Sequence, residues 1–496
     1  MRRSSETNTA TATTGDRAAS LIDGVLEETA CARRDDECFA VYRQGLSAAL
    51  QRYARDGQRF GRFDREAVDA MIADIDHLLT RQVNAILHHP DFQRVEAAWR
   101  GLRYLVDNVD FRENVRVEVL HCTKDELVED FEDAPEIPKS GLYKLVYSDA
   151  YGTWGARPYG LVVGNYDFSS NARDVELLRQ VAAVAAMAHA PFVSNAGPEF
   201  FGRASFEEVV RLRDLEGHFE GPEYAAWRSF RESDDARNVG LCLPRFLLRR
   251  PYDPETSSVR AFHFLEDATG HHDRYLWGHS SIAFATRVAD SFARYRWCPN
   301  IIGPRSGGAV ENLPLHVYRE GGELTAKIPT EVLLTERRDF ELSEQGFIPL
   351  VFKKGHDIAC FFSANSTQRP RVFANNADGQ AASLNYRLGT RLPYMFIINR
   401  LAHYIKAIQR EQLGSAREQR ELERDLNAWI SQYVADMESP SAETRARRPL
   451  RQAKVTVEPI PGQPGLYRSH ICVRPHFKYE GASFTLSLVG RIDDKT

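Results

Sequence analysis

His271, His272, Asp273 and His279 are residue types that ligate transition metals through imidazole nitrogen and carboxylate oxygen. Their spacing follows no zinc pattern, and a polar loop is the ordinary place for solvated histidines. Next to them, Gly278-His-Ser280-Ser-Ile282 misses a nucleophile elbow by one residue, because Ile282 stands where the sharp turn needs a second glycine. The loop Gly303-Pro-Arg-Ser-Gly-Gly308 lacks the Lys and Ser/Thr that bring an ammonium and magnesium to phosphates, and it reads as an ordered turn. In the acidic stretch Asp125 to Glu136, Glu126, Glu129, Asp130 and Asp133 share one helical face and Leu127, Val128 and Phe131 the other. That is a solvated amphipathic helix without the central glycine of a calcium loop. Arg445, Arg447, Arg448 and Arg451 form the one concentrated basic segment. With no aromatic residues between them, they suit an acidic protein surface better than stacked bases. None of these groups assembles a catalytic centre, and neither a metal nor a cofactor is expected.

Such residues need a scaffold, and 496 of them at roughly 150 per domain allow about three packed units. Apolar residues at 43% and charged ones at 27% lie in the globular range. Lys and Arg number 64 against 69 Asp and Glu, a net charge of −5 that gives no electrostatic footprint for nucleic acid. The seven cysteines (Cys31, Cys38, Cys122, Cys242, Cys298, Cys360, Cys472) are odd in number, scattered and free of C-x-x-C pairs, so they read as reduced thiols. Met1 to Gly15 lacks the apolar stretch of a secretory signal. The apolar run Val175 to Phe192 is interrupted by Glu176, Arg179, Gln180, His189 and Pro191, which rules it out as a membrane span. A cytoplasmic chain without direct membrane insertion is expected.

The pattern along the chain is mixed α/β. Residues 1–19 read as a disordered leader. Leu21, Ile22, Val25 and Leu26 then form the apolar stripe of a short helix, suited to docking. Val68, Met71, Ile72, Ile75, Leu78, Leu79, Val83 and Ile86 hold a helical period up to Pro90, and Phe92, Val95, Trp99 and Leu102 continue it. Val115, Val117 and Val119 alternate with Arg116 and Glu118, predicting a strand. Residues 160–164, 175–189 and 191–195 read as a βαβ unit with Asp174 as the helix cap, and Val239 to Leu243 as a further buried strand. A helix ends before Trp297, and short strands and turns fill 315–375. Two long helices follow. The first carries Tyr394, Ile397, Ile398, Leu401, Tyr404, Ile405 and Ile408 on one face, opposite Asn399, Arg400, His403, Lys406 and Arg410, with Gly414 as its stop. The second carries Leu422, Leu426, Trp429, Ile430, Tyr433 and Val434. Antiparallel strands at 454–457, 467–473 and 484–489 close the chain, the last alternating Phe484, Leu486 and Leu488 with Thr485 and Ser487.

Taken together, these segments resemble one family, the large subunit of the type VI secretion system contractile sheath, which is related to contractile phage-tail sheaths. The resemblance is carried by Leu87-His-His-Pro-Asp-Phe-Gln-Arg-Val-Glu-Ala-Ala-Trp-Arg-Gly-Leu102, Glu129-Asp-Phe-Glu-Asp-Ala-Pro-Glu136 and Ala188-His-Ala-Pro-Phe192. Leu243-Pro-Arg-Phe-Leu-Leu-Arg249, Arg296-Trp-Cys-Pro-Asn-Ile-Ile-Gly-Pro304 and Ser306-Gly-Gly-Ala-Val310 continue it. Phe362-Ser-Ala-Asn-Ser366, Leu392-Pro-Tyr394, Asn399-Arg-Leu-Ala-His-Tyr404 and Arg474-Pro-His-Phe-Lys-Tyr479 complete it. It spans about residues 20–492.

The resemblance implies a non-enzymatic structural protein. It would pair with a small sheath subunit, and the heterodimers would polymerise with further copies as a helical tube around a hexameric inner-tube protein, on a baseplate. It implies an inner-tube contact at Asn399, Arg400, His403, Lys406 and Arg410. It also implies recognition of Leu21, Ile22, Val25 and Leu26 by an AAA+ recycling unfoldase, and inter-subunit strands that include Phe484, Leu486 and Leu488. The domains expected are the leader 1–19, an N-terminal helical region 20–110 with small-subunit contacts, a central α/β part 111–375 and a C-terminal sheath domain 376–496. The competing readings are a cytoplasmic α/β metal-dependent enzyme and a homopolymeric phage-like tail sheath.

Overall fold

The computed structural model describes residues 23, 39–55, 65–256, 262–373, 376–412, 419–437, 440–459 and 467–476. The residues at Leu21, Ile22, Val25 and Leu26, the helix stop at Gly414, and Phe484, Leu486 and Leu488 lie outside that set. The chain divides between Gln82 and Val83 into two units. In the first, α1 (Phe39–Arg55) precedes α2 (Arg65–Leu87), whose last residues enter the second unit. The period expected in α2 is present, yet Ile72, Ile75, Leu78, Leu79 and Ile86 are exposed.

In the second unit α3 (Pro90–Asp107) starts on Pro90, whose missing N–H falls where a helix has no acceptor for it. Phe92, Val95 and Trp99 stay exposed, Trp99 at 69%. The strand expected at Val115 to Val119 does not form. The segment pairs with no strand among the described residues, since alternation sorts side chains but supplies no ladder partner. Thr123 caps α4 (Lys124–Asp133) through a reciprocal capping box with Glu126, and Leu127, Val128 and Phe131 are buried as their spacing requires. Asp130 is not simply solvated, because its carboxylate accepts from the amides of Gly141 and Leu142. Nine residues of π-helix follow, Lys144–Gly152.

The βαβ unit consists of β1 (Val162–Phe168), α5 (Ala172–Ala188) and β2 (Phe192–Ala196). Its helix cap is Asn171, whose Oδ1 accepts from the Asp174 amide at 2.7 Å. Asp174, the expected cap, instead pairs with Lys124 at 3.0 Å. Three short helices, α6 (Phe206–Arg211), α7 (Leu215–Phe219) and α8 (Ala225–Glu232), lead to β3 (Val239–Leu243). A two-stranded ribbon, β4 (Phe246–Leu247) with β5 (Trp277–Gly278), precedes α9 (Ser280–Tyr295). Then come β6 (Ala309–Val310), the hairpin β7 (His316–Glu320) and β8 (Glu323–Lys327), α10 (Glu336–Glu344), β9 (Phe347–Phe352) and β10 (Ala359–Phe361). The polar α10, which buries only Leu342 and Ser343, falls in the region expected to hold strands and turns.

The main sheet has the order β1-β2-β3-β9-β10-β6. It is parallel from β1 to β9 and antiparallel beyond. Because side chains alternate across a strand, each strand feeds two cores. Phe192, Leu241 and Phe347 join α5 and an aromatic group of Phe200, Phe201, Phe219, Trp227 and Phe230. Val193, Cys242 and Ile348 join Phe284 and Val288 of α9 on the other face. Each large side chain so buried contributes roughly 1.5–3 kcal/mol, which explains why these strands read as continuous apolar runs.

The C-terminal part is α11 (Ala377–Gly389), α12 (Leu392–Glu411), α13 (Gln419–Ser431), α14 (Ala442–Arg447) and the hairpin β11 (Leu450–Pro459) with β12 (Tyr467–Pro475). A third core holds it together, with Trp297, Ile397, Leu401, Leu426, Ile430, Val455 and Val457 among its members. The fold is mixed α/β, and among the described residues no helix is long and apolar enough to cross a membrane.

Candidate functional site

The residues with catalytic potential do not converge. His272 stacks on Trp277 and places Nε2 3.5 Å from Glu331, while His279 bonds Asn165 at 2.8 Å and Asp167 at 3.2 Å. Burial opposes the charge of Asp167, but the neighbouring His279, Arg245 and Lys124 outweigh it and hold the carboxyl at about 2. Among the described residues no three His, Cys, Asp or Glu are grouped to hold a metal. Ser280 is buried at the first turn of α9. The glycine loop is tied down by backbone bonds from Gly303 N–H to the Phe361 carbonyl and from Gly308 N–H to the Gly303 carbonyl. Gly307 has φ +85°, and a Cβ there would lie 2.1 Å from the Asn300 carbonyl oxygen, so the loop's shape is a packing requirement.

The basic segment divides. Arg447 pairs with Glu443 and Arg445 donates to the Pro440 carbonyl. Arg448 and Arg451 line an open groove of about 580 Å³ with Val434, Met437 and Ala453.

The polar face of α12 is engaged by other elements along its length. His403 is buried and donates from Nε2 to the Ala188 carbonyl at 3.0 Å, at the C-terminal end of α5. Asn399 is buried beside His189. The Arg400 guanidinium lies 5.1 Å from the Phe292 ring and 4.7 Å from the Tyr404 ring. Lys406 donates to the Tyr147 hydroxyl at 3.3 Å and sits 3.5 Å from the centre of the Tyr151 ring. Arg410 donates to three successive carbonyls, those of Tyr151, Gly152 and Thr153. Burial pushes His403 down to about 4, helped by the charges of Arg400 and Lys406, and burial pushes the Tyr151 hydroxyl up to about 12.

The end of α5 therefore receives Asn399 and His403, the π-helical segment receives Lys406 and Arg410, and Arg400 packs instead between Phe292 of α9 and Tyr404. Arg400, Lys406 and Arg410 keep part of their surface, and Ile398 is 42% exposed. Sequence reasoning missed the receiving side, Tyr147, Tyr151 and Ala188. The available signal was Tyr143, Tyr147 and Tyr151 at four-residue intervals, which places three rings in succession.

The site is thus an aromatic-lined π-segment clamped by a C-terminal helix, beside a closing hairpin separate from the main sheet. Residues 69–368 match the EvpB/VC_A0108 tail sheath N-terminal domain, and residues 381–492 match the tail sheath gpW/gp25-like domain. The type VI secretion system sheath protein TssC1 of Pseudomonas aeruginosa is 42% identical over 432 residues, 86% of each chain. The chain belongs to this tail sheath family and is a subunit of the type VI secretion contractile sheath. Two solved structures are more distant, both 10% identical. The baseplate of the anti-feeding prophage aligns over 76% of this chain and 83% of that one, with a TM-score of 0.37. The contracted helical sheath of the same particle aligns over 63% and 66%, with a TM-score of 0.30.

Proposed function

We propose that this chain is the large, non-enzymatic subunit of a cytoplasmic heteromeric sheath. It pairs with a small sheath subunit, and the pairs polymerise helically around a hexameric inner tube and on a baseplate, contracting to drive the tube forward. The observation that supports this most is that both parts of the chain match tail sheath domains in sequence order. A helical polymer needs contacts that do not close into a ring, and strands exchanged at sheet edges meet that need. The strands of 454–489 have that role in this reading, with Phe484, Leu486 and Leu488 alternating on the last one.

The remaining assignments follow the same reading. The exposed apolar residues Phe92, Val95 and Trp99 of α3 contribute to the contact with the small subunit, which lies within an N-terminal region 20–110. The part 111–375 forms the body of the subunit, and 376–496 the inner layer, with α12 toward the inner tube. There Arg400, Lys406 and Arg410 offer their exposed portions, while buried Asn399 and His403 fix the helix's rotation. Leu21, Ile22, Val25 and Leu26 serve an AAA+ unfoldase that recycles contracted sheaths.

Negative-stain electron microscopy of this chain, expressed with and without a small subunit, tests the proposal. Hollow tubes only when the partner is present are the expected result. Tubes without it would indicate a homopolymer, and discrete particles in both cases, with a folded partner, would overturn the reading.

A further inference from the structure

We propose that the side-chain amine of Lys327 is a nucleophile activated by His272, and that it takes an acyl group from an acyl phosphate. The site lies on the hairpin of β7 and β8, and none of the contacts assigned above involves it.

Lys327 ends β8, and its Nζ donates to Nδ1 of His272 at 3.0 Å. A ring nitrogen that accepts carries no hydrogen, so the proton of the neutral imidazole sits on Nε2. That nitrogen faces Glu331 Oε1 at 3.5 Å. Glu331 is held in turn by Arg245, whose Nε and Nη2 donate to its two oxygens at 2.8 and 2.7 Å. A nucleophile within hydrogen-bond reach of a base, with the base oriented by a third group, is the arrangement that activates weak nucleophiles. The base is also fixed in place. Its ring stacks on Trp277 with 5.0 Å between centres, and its backbone carbonyl accepts from the Trp277 indole at 3.0 Å.

The amine attacks only when neutral, and its setting favours that form. Among the described residues no carboxylate comes within ion-pair distance of Nζ. The rings of Tyr275 and Trp277, centred 5.2 and 5.7 Å away, shield it from water on one side. Glu207 and Glu331 favour the ammonium from further off, but burial outweighs them and pulls Lys327 below its ordinary value. Lys327 and His272 both keep part of their surface, which admits a small reagent.

The step balances without a cofactor. The neutral Nζ adds to the acyl carbon, the bond from that carbon to the phosphate oxygen breaks, and phosphate leaves with the electron pair. The proton lost by nitrogen passes to His272 Nδ1 and then to solvent, while Glu331 stabilises the imidazolium in between. An acyl phosphate suits a site with a base and no free acid, because phosphate departs as an anion. The nearest hydroxyl, that of Tyr275, is already bonded to His316 Nδ1 at 2.9 Å. The chain keeps the acyl group, so the reaction is one modification and not turnover. It removes the charge that Lys327 places against the two rings.

The full chain is incubated with acetyl phosphate, and occupancy at each lysine is followed with time by peptide mass spectrometry. Lys327 should acetylate roughly tenfold faster than the exposed Lys139, Lys144, Lys353 and Lys354. His272→Phe keeps a ring against Trp277 and removes the accepting nitrogen, and it should bring Lys327 down to the rate of those four or below. If that variant does not fold, the comparison within the unmodified chain still decides. Lys327 reacting no faster than the exposed lysines overturns the proposal. So does a fast rate that His272→Phe leaves unchanged in a folded chain, because burial alone would then account for it.

Discussion

The ammonium of Lys406 lies 3.5 Å from the centre of the Tyr151 ring and 3.3 Å from the Tyr147 hydroxyl, so one cation fastens α12 to a π-helical segment 259 residues earlier. A desolvated cation over an aromatic face is worth about 2 kcal/mol. Lys406→Met should therefore lower stability by about 1–2 kcal/mol, read as a lower urea midpoint of the circular dichroism transition. Tyr147→Phe, which keeps the ring and loses only the hydroxyl, should cost about 1 kcal/mol or less. Equal losses in the two variants would show that the ring contact contributes nothing.

His403 makes the same junction sensitive to acid. In the unfolded chain it titrates near 6.5, and in the fold near 4, so the unfolded state takes up its proton first. Its contribution is fully present above about pH 6.5 and is lost as pH falls toward 4, by roughly 3 kcal/mol across that window. His403→Gln should flatten the decline in thermal midpoint between pH 6.5 and 4. An unchanged slope would mean that other groups carry it.

Asp339 has the opposite sign. Burial raises its carboxyl to about 7, with Glu336 adding to the effect, and Oδ1 has no hydrogen-bond partner. Its protonated form favours the fold. Its contribution is fully present below about pH 4 and is lost as pH rises through 7. Asp339→Asn should raise the thermal midpoint at pH 8 and leave it unchanged at pH 4. A rise of equal size at both would point to packing in place of charge.

Gly101 of α3 packs closely on α9, where a Cβ would lie 2.7 Å from Ile282 Cδ1. Because the obstructing atom ends a flexible side chain, Gly101→Val should cost about 1–3 kcal/mol without abolishing folding. Adding Ile282→Val should return part of that loss in thermal scanning. A double variant no better than the single would place the strain elsewhere.

What the sequence revealed tracks how local each cause is. Val239 to Leu243 was read with the bounds the strand has, because a five-residue run buried on both faces has one plausible conformation. The helix carrying Tyr394 to Ile408 was legible from its apolar period, and the structure bounds it as Leu392–Glu411. Val115 to Val119 misled because alternation says nothing about a distant partner. The α10 helix was missed because its sequence buries little, and its start depends on Thr335 accepting from the Arg338 amide. At the candidate site the five polar residues were placed on one helix, but the burial of Asn399 and His403 and the contacts of Lys406 and Arg410 were not legible. A polar face reads as solvated unless the receiving surface is known, and Tyr147, Tyr151 and Ala188 lie more than two hundred residues away.

Arg410 satisfies the carbonyls of Tyr151, Gly152 and Thr153 from a position 257 to 259 residues further along the chain. At a synthesis rate of about 5–20 residues per second, the ribosome delivers that guanidinium roughly 10–50 s after the segment it binds. Throughout that interval Lys144–Gly152 must do without its clamp, so a nascent chain stalled before α12 should carry this segment in a form that a protease can enter.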